Sequence, residues 1–196
     1  MAKNSSRFIK PVEKIILLVL FLVASCFTAQ AQALSFDSLL KESKLIYTQP
    51  DGFIELKSNK ETKHIKSKDL EIRYSINPIS RVNIEYQDPH NAAPMPNDLF
   101  EMLFRQKIEQ LAHPKNYNIE QQQVHVEVAQ EQFNAGWASI AVFNTNPKFF
   151  PKYQFAMLVA IHKNDLADAY ILFLTNNLVK SKALINKAMS SLKFSK

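Results

Sequence analysis

Residues 153–176, YQFAMLVAIHKNDLADAYILFLTN, contain two nearly continuous apolar runs joined by a short polar break. A strand that is covered on one side alternates apolar and polar residues, so runs without alternation predict strands buried on both faces. β-Branched and aromatic residues, and the short length of each run, favour strand over helix. The break at residues 163–165 reads Lys-Asn-Asp, which predicts the turn of an antiparallel hairpin.

Segments outside this hairpin predict the layers that cover it. Residues 70–76 alternate strictly, as a half-buried strand does, and residues 138–143 predict another core strand. Apolar residues recur at helical spacing over residues 98–113 and 177–193, which predicts two amphipathic helices on the sheet. The prediction is an α+β fold, a mainly antiparallel sheet of about six strands sandwiched by helices in an α/β/α arrangement.

Three further segments carry turn or loop signals. Residues 45–48 predict a first strand. A Pro-Asp-Gly turn follows, so that residues 53–57 are expected to run back as a second strand. Residues 58–68 are polar and predict a solvated loop. Residues 87–96 contain three prolines and predict a long surface loop after a strand at residues 82–86.

Two local features concern helix boundaries. Asn97 or Asp98 is expected to cap the helix that follows, because short polar side chains satisfy the first free backbone N–H groups. Residues 124–132 fit either an edge strand, from the alternation of their valines, or a short helix.

The first 31 residues have the composition of a secretory signal peptide. Four basic residues and one acidic residue lead into an apolar run at residues 15–24, which is shorter than the ~20 residues of a membrane-spanning helix. Small residues then form A-x-A sites, with cleavage after Ala31 or Ala33. The sequence predicts export to the periplasm or the extracellular space, with a single globular α+β domain over residues 34–196.

The residues just before these sites allow an alternative. Val23-Ala24-Ser25-Cys26 resembles a bacterial lipobox, in which Cys26 becomes lipidated and anchors the protein to a membrane. Phe27 fits that pattern poorly, and ordinary cleavage is the preferred interpretation. Cys26 is the only cysteine, so ordinary cleavage leaves a chain without disulfides, thiolate nucleophiles or cysteine metal sites.

Charge and composition argue against several functions. The chain has a formal charge of +6, and removal of residues 1–31 leaves 20 basic and 17 acidic residues. No basic run indicates a nucleic-acid site. Gly52 and Gly136 are the only glycines, which excludes Rossmann and P-loop phosphate cradles. Neither G-x-S-x-G nor H-E-x-x-H occurs, and we predict no cofactor, no metal site and no catalytic residue.

The strongest local cluster for acid–base chemistry is His162 with Asp165 and Asp168 around the hairpin turn. A carboxylate can orient an imidazole for proton transfer. Turn chemistry favours the plainer interpretation, in which these side chains serve hydrogen bonds and solubility.

Aromatic side chains supply the other candidate binding residues. Phe149 and Phe150 lie between prolines and beside Lys148 and Lys152, a composition that suits contact with a partner or a membrane surface. Packing over the open end of the core is the preferred interpretation for this pair. Trp137, at the start of a strand, is either a ligand platform or a packing residue, with packing preferred.

The order of elements resembles the PsbP/DcrB-like group of small exported or lumenal proteins. The shared features are a Pro-Asp-Gly-Phe turn at residues 50–53, the strand at residues 70–78, a mid-chain helix, three late strands and a closing amphipathic helix. The resemblance is architectural and transfers no functional residue. It implies an accessory or binding role rather than an enzyme.

The leading hypothesis is therefore an exported accessory or binding protein of the bacterial envelope, with an envelope protein as its partner. One alternative is a carrier that holds a small apolar ligand between sheet and helix. Another is an acid–base hydrolase that uses His162. Contact with a membrane is expected only if Cys26 is lipidated.

Overall fold

The hairpin of residues 153–176 forms the centre of a seven-stranded antiparallel sheet in a computed structural model of the chain. The structure describes residues 35–82, 95–115 and 118–196. Its helices in chain order are α1 (Phe36–Glu42), α2 (Phe100–Leu111), α3 (Val126–Phe133) and α4 (Leu178–Ala188). Its strands are β1 (Leu45–Tyr47), β2 (Ile54–Leu56), β3 (Lys63–Ser67), β4 (Leu70–Pro78), β5 (Glu120–Gln123), β6 (Trp137–Asn144), β7 (Phe155–Lys163), β8 (Ala167–Thr175) and β9 (Leu192–Phe194).

The strand order is β2-β3-β4-β8-β7-β6-β5, and every neighbouring pair is antiparallel. β8 lies in the middle, and all nine of its residues are buried. β1 and β9 form a separate two-stranded sheet. The predicted α+β fold with a mainly antiparallel sheet between helices is confirmed.

The first face of the sheet is covered by α1, α3, α4 and the small β1–β9 sheet. Their buried side chains pack with the apolar side chains of β4, β7 and β8 in one core cluster, which includes Phe36, Phe133, Ile185, Phe194, Ile72, Ile171 and Phe173. Two of the covering helices begin with side-chain caps. Ser35 accepts a hydrogen bond from the Ser38 N–H in α1, and Asn177 accepts one from the Lys180 N–H in α4.

Among the described residues, the second face is covered by α2 over β6, β7 and β8, and by Phe150 of the loop between β6 and β7. Phe104 and Ile108 of α2 are buried against Leu158 and Leu172 in a second core cluster. The side chains of β4 on this face alternate with its apolar ones and are polar, since the cross-strand register puts Ile72 opposite Phe173 and Arg73 opposite Leu172. This face is therefore apolar beneath α2 and polar beyond it.

The central hairpin departs from its predicted turn by one residue. The loop is residues 164–166, not 163–165, and Lys163 pairs with Ala167. Asp165 has a left-handed backbone (φ 61°) in this loop, a conformation that a short polar side chain tolerates.

Three other predictions near the ends of the chain are wrong. β1 and β2 do not form a hairpin, because β1 pairs with β9 and β2 pairs with β3. Residues 58–68 are not a loop, because they contain β3, in which Ile65 is fully buried. The last helix does not extend to residue 193, because α4 ends at Ala188 and β9 follows.

Helix boundaries gave mixed outcomes. The cap of α2 is Leu99, with no side-chain hydrogen bond, so the prediction of Asn97 or Asp98 as cap is wrong. The choice left open for residues 124–132 is decided by α3, while the edge strand β5 lies earlier in the chain. The predicted signal peptide and Cys26, and most of the strand and loop predicted over residues 82–96, lie outside the described residues. In the part of the chain that is described, no helix is long and apolar enough to cross a membrane.

Truncation of Phe104 tests whether α2 is held by its buried stripe. Phe104 is fully buried, whereas Met102 on the same helix is 47% exposed. We expect F104A to lower the free energy of unfolding by about 3–5 kcal/mol, through lost burial and a residual cavity. M102A should change it by less than about 0.5 kcal/mol. Urea denaturation followed by circular dichroism measures both, and equal losses would contradict the packing described here.

Candidate pocket at the turn end of the central hairpin

One cross-strand row of polar and aromatic side chains lies at the turn end of the central hairpin. Backbone pairing sets Trp137 opposite His162, His162 opposite Asp168, and Asp168 opposite Asn77. Directly paired residues of antiparallel strands point to the same face of a sheet. The four side chains therefore lie side by side on the second face, next to the start of α2.

His162 is held by hydrogen bonds at both ring nitrogens. Nδ1 lies 2.7 Å from Asp168 Oδ1, and Nε2 lies 2.9 Å from the amide oxygen of Asn164. An ionised carboxylate only accepts, so Nδ1 carries a proton. Nε2 is engaged by the side chain of Asn164, so neither ring nitrogen is free. His162 and Asp168 are each only 2% exposed, so the pair is buried and does not lie on a solvated turn.

The start of α2 is fastened to the same turn. The Phe100 ring stacks on the His162 ring, with centroids 4.3 Å apart and planes inclined by 20°. Asn97 donates to the Asp165 carboxylate (2.8 Å) and accepts from the Asp165 N–H (2.9 Å). Asp165 therefore contacts the segment before α2 and makes no hydrogen bond to His162.

These side chains form one wall of an open pocket of about 800 Å³. Its lining combines aromatic rings with amides and one lysine, and consists of Phe100, Gln130, Asn134, Ala135, Gly136, Trp137, His162, Lys163 and Asn164. Asn134 ends α3 in a left-handed conformation (φ 50°). No aspartate or glutamate lines this pocket among the described residues.

Two polar atoms of the row have no hydrogen-bond partner among the described residues, namely Asp168 Oδ2 and Trp137 Nε1. A buried donor or acceptor without a partner costs about 1–3 kcal/mol. Trp137 is otherwise well packed, with ring centroids 4.8 Å from Phe100 and 5.8 Å from Phe104. Its N–H is therefore buried among these rings and makes no hydrogen bond to the described residues.

The predicted site residues fall at opposite ends of the sheet. Trp137 and His162 meet at the turn end, whereas Phe149 and Phe150 belong to the loop between β6 and β7 at the other end. Phe150 is buried beneath Arg73, whose guanidinium carbon lies 5.1 Å from the ring centroid, and Phe149 is 45% exposed. The two phenylalanines therefore differ in role.

Sequence reasoning missed the part played by Phe100, Asn164 and Asn97. Helical spacing predicts Phe100 only as part of the apolar stripe of α2. A turn residue such as Asn164 carries no signal that it will fold back on a histidine two positions earlier. The useful signal was the hairpin register, which decides what lies opposite His162.

Electrostatics near the row reflect burial under α2. Burial, and then the nearby Asp168 charge, raise the pKa of Tyr170 above its ordinary range. Lys107 of α2 lies over the Tyr170 ring, with Nζ 4.6 Å from the centroid, and burial lowers the pKa of Lys107. In the described ranges, no group of three or more His, Cys, Asp or Glu side chains is arranged to hold a metal ion.

No known family model matches this sequence, and a comparison with curated proteins likewise gives no match.

Removal of the Asp168 carboxylate tests how far the row depends on the buried pair. D168A leaves the His162 ring buried without its carboxylate partner, and we expect a loss of about 3 kcal/mol in the free energy of unfolding. N164A removes the exposed partner of the same ring and should cost less than about 1 kcal/mol. Urea denaturation measures the free energy of unfolding of both variants. Equal losses would show that the buried His162–Asp168 pair contributes no more to stability than the exposed contact with Asn164.

Substitution of Lys107 gives a pH-dependent prediction. Because its folded-state pKa is lowered, the charged amine destabilises the folded state at neutral pH, and this loss disappears as the pH rises through the lowered pKa towards about 10.4. We therefore expect K107M to be more stable than the parent at pH 7, with a gap that narrows towards pH 10. Thermal denaturation at both pH values measures the gap. A less stable K107M would show that the ring contact with Tyr170 outweighs desolvation.

Proposed function

We propose that this chain is an exported binding protein of the bacterial envelope, of accessory rather than catalytic type. Its ligand or partner segment binds in the pocket lined by Phe100, Trp137 and His162. Export is supported by the signal-peptide pattern of residues 1–31. The accessory role agrees with the resemblance to the PsbP/DcrB-like group.

The observation that carries the proposal is that the His162 ring is held in place by its contacts. Both nitrogens are engaged, by Asp168 and Asn164, and one ring face is covered by Phe100. A general base needs an unprotonated nitrogen within reach of the proton that it removes. Because this ring has no free nitrogen, it supports the shape of the pocket better than it supports proton transfer.

The lining of the pocket indicates the kind of group that it binds. Trp137 and Phe100 supply aromatic surface, while Gln130, Asn164 and Lys163 supply side-chain donors at the rim. The indole N–H of Trp137 is itself buried, so Trp137 contributes aromatic surface to the pocket and not a donor. A ligand with a flat apolar surface and oxygen acceptors matches this set.

The packing of the interior favours this pocket over a carrier site between sheet and helix. Phe104 and Ile108 fill the space beneath α2 against Leu158 and Leu174, and all four side chains are buried. An internal ligand of drug-like size needs a cavity of about 300 Å³ or more. The open pocket supplies such a volume without disturbing these contacts.

A second candidate function is acid–base catalysis by His162. The specific observation in its favour is the 2.7 Å contact between Nδ1 and Asp168 at the wall of a pocket. Asn164 is exposed on the turn, so rotation of its side chain would free Nε2. This candidate predicts a hydrolytic activity that H162Q abolishes and N164A increases, whereas the binding proposal predicts no such activity.

Photo-crosslinking in cells tests the binding proposal. A photoreactive residue in place of Gln130, at the pocket rim, should give one prominent adduct in the envelope fraction. The same residue in place of Lys182, exposed on α4, should not. Adding W137A should lower the adduct yield about tenfold or more, because truncation of an aromatic anchor typically costs about 2 kcal/mol.

The control for W137A is W137F, which keeps an aromatic ring at this position and loses the indole N–H together with part of the apolar surface. Its adduct yield should lie between those of the parent and W137A. Recovery of the protein in the cytoplasm, or equal adducts from positions 130 and 182, would contradict the proposal.

A further inference from the structure

The end of the sheet opposite the pocket exposes apolar and basic side chains together. Ile54 is opposite Lys66, and Lys66 is opposite Glu71, which places these residues near the turn from β3 to β4. Lys68 lies in that turn. Ile54 is 67% exposed, and Phe149, in the loop at the same end, is 45% exposed.

The loop between β6 and β7 crosses the sheet towards these residues. Its Phe150 ring lies under the Arg73 guanidinium at 5.1 Å, and its Tyr153 hydroxyl donates to Glu71 at 2.9 Å. Both contacts are with β4, and β2 is the second strand along from β4. Since adjacent strands lie about 4.8 Å apart, the backbone of Ile54 is about 10 Å from β4. The loop and the β2–β4 edge therefore form one surface.

The charges of this surface are predominantly positive. We define the basic rim as Ile54, Phe149 and the four lysines Lys66, Lys68, Lys148 and Lys152. None of these lysines lies within ion-pair distance of a carboxylate among the described residues. Arg73 and Glu71 pair with each other at 2.6 Å, which leaves Asp69 as the exposed acidic residue of the β3–β4 turn.

We propose that the basic rim docks on an anionic lipid surface. Its apolar side chains project from an edge strand and a loop instead of lining a recess, which suits the flat boundary of a bilayer. Aromatic and aliphatic side chains enter the headgroup region, while lysines lay their stems along it and keep their amines in water. The amines attract anionic headgroups at about 1 kcal/mol each.

This docking gives the pocket a defined position. β7 runs from the loop end to the turn end of the sheet over nine residues, a length of about 30 Å. A protein that rests on the basic rim presents its pocket on the side away from the membrane. The inference does not depend on the ligand of that pocket, and it needs no lipid at Cys26.

Vesicle sedimentation tests the proposal with the purified protein. We expect binding to vesicles of phosphatidylcholine that contain about one third phosphatidylglycerol, with a loss of affinity as NaCl rises from about 0.05 to 0.5 M. K148Q/K152Q should weaken binding about 25-fold, since about 1 kcal/mol per lysine is about fivefold. F149S should weaken the part of the binding that remains at high salt. Its melting temperature should equal that of the parent, because the Phe149 side chain is partly exposed.

The matched control makes the same charge change at the opposite end of the sheet. Lys44 and Lys196 both lie next to Ser195: Lys196 follows it in the chain, and the Ser195 N–H donates to the Lys44 carbonyl. The Ser195 carbonyl accepts a hydrogen bond from the side-chain amide of Asn134, which lines the pocket. K44Q/K196Q should bind as the parent does. Equal weakening in both double variants would show that only net charge matters and would overturn the proposal.

Other outcomes also decide the question. Equal binding to vesicles of phosphatidylcholine alone would show that anionic headgroups are not recognised and would overturn the proposal. Binding to polyglutamate but not to anionic vesicles, lost in K148Q/K152Q, would replace the lipid surface with an acidic protein partner. A lack of binding to anionic vesicles at low salt would also overturn the proposal that the basic rim docks on lipid.

Discussion

Burial of β8 along its whole length is the constraint on which the rest of the structure depends. A strand with no polar face needs neighbours on both edges and a cover on both sides, because its backbone and side chains are both removed from water. β4 and β7 supply the edges. Among the described residues the two covers are unequal. Three helices and the small sheet lie on the first face, whereas α2 and part of the β6–β7 loop lie on the second. The polar side chains of β4 on the second face follow from that inequality.

The same constraint explains why polar chemistry occurs at the ends of the central hairpin. His162 and Asp168 are the residues at which the two apolar runs reach the turn, and a hydrogen bond between Nδ1 and Oδ1 joins them in the interior. This bond offsets part of the cost of burying two polar side chains, while Asp168 Oδ2 has no partner among the described residues. The bonds from Asn97 to Asp165 fix the start of α2 over the turn, so the stacked Phe100 is held by the sheet and not by a free loop.

The sequence predicts those elements whose local pattern agrees with their tertiary setting. The central hairpin is predictable because both its runs are too apolar to be anything but buried. β3 is not predictable, because Lys63–Ser67 holds a single aliphatic side chain, Ile65, and becomes a strand through its pairing with β4. The sequence does not predict β9 for another reason. Leu192 fits the helical stripe of α4 as well as it fits a strand, and only the pairing with β1 decides between helix and strand.

The candidate site was half predictable for a related reason. His162 and Trp137 stand out by residue type, but a turn at residues 163–165 would set His162 opposite Leu166. The observed loop one residue later sets it opposite Asp168. A shift of that size is below what turn composition can decide, yet it determines which side chain the imidazole meets. Register, not residue type, is therefore what makes this row a site.

The two ends of the sheet differ in their polar side chains, which are buried and hydrogen-bonded at the turn end and exposed at the loop end. This difference suits them to different roles. At the turn end the buried side chains of His162 and Asp168 are hydrogen-bonded to each other inside the protein, so that end offers shape and directed hydrogen bonds. At the loop end Lys68, Lys148 and Lys152 of the basic rim are exposed to solvent, where their attraction for anions is long-ranged but screened by salt. A pocket with a hydrogen-bonded wall favours selectivity, whereas a rim of exposed charges favours attachment to an extended charged surface. The central hairpin connects the two ends, because β7 and β8 both run from one to the other.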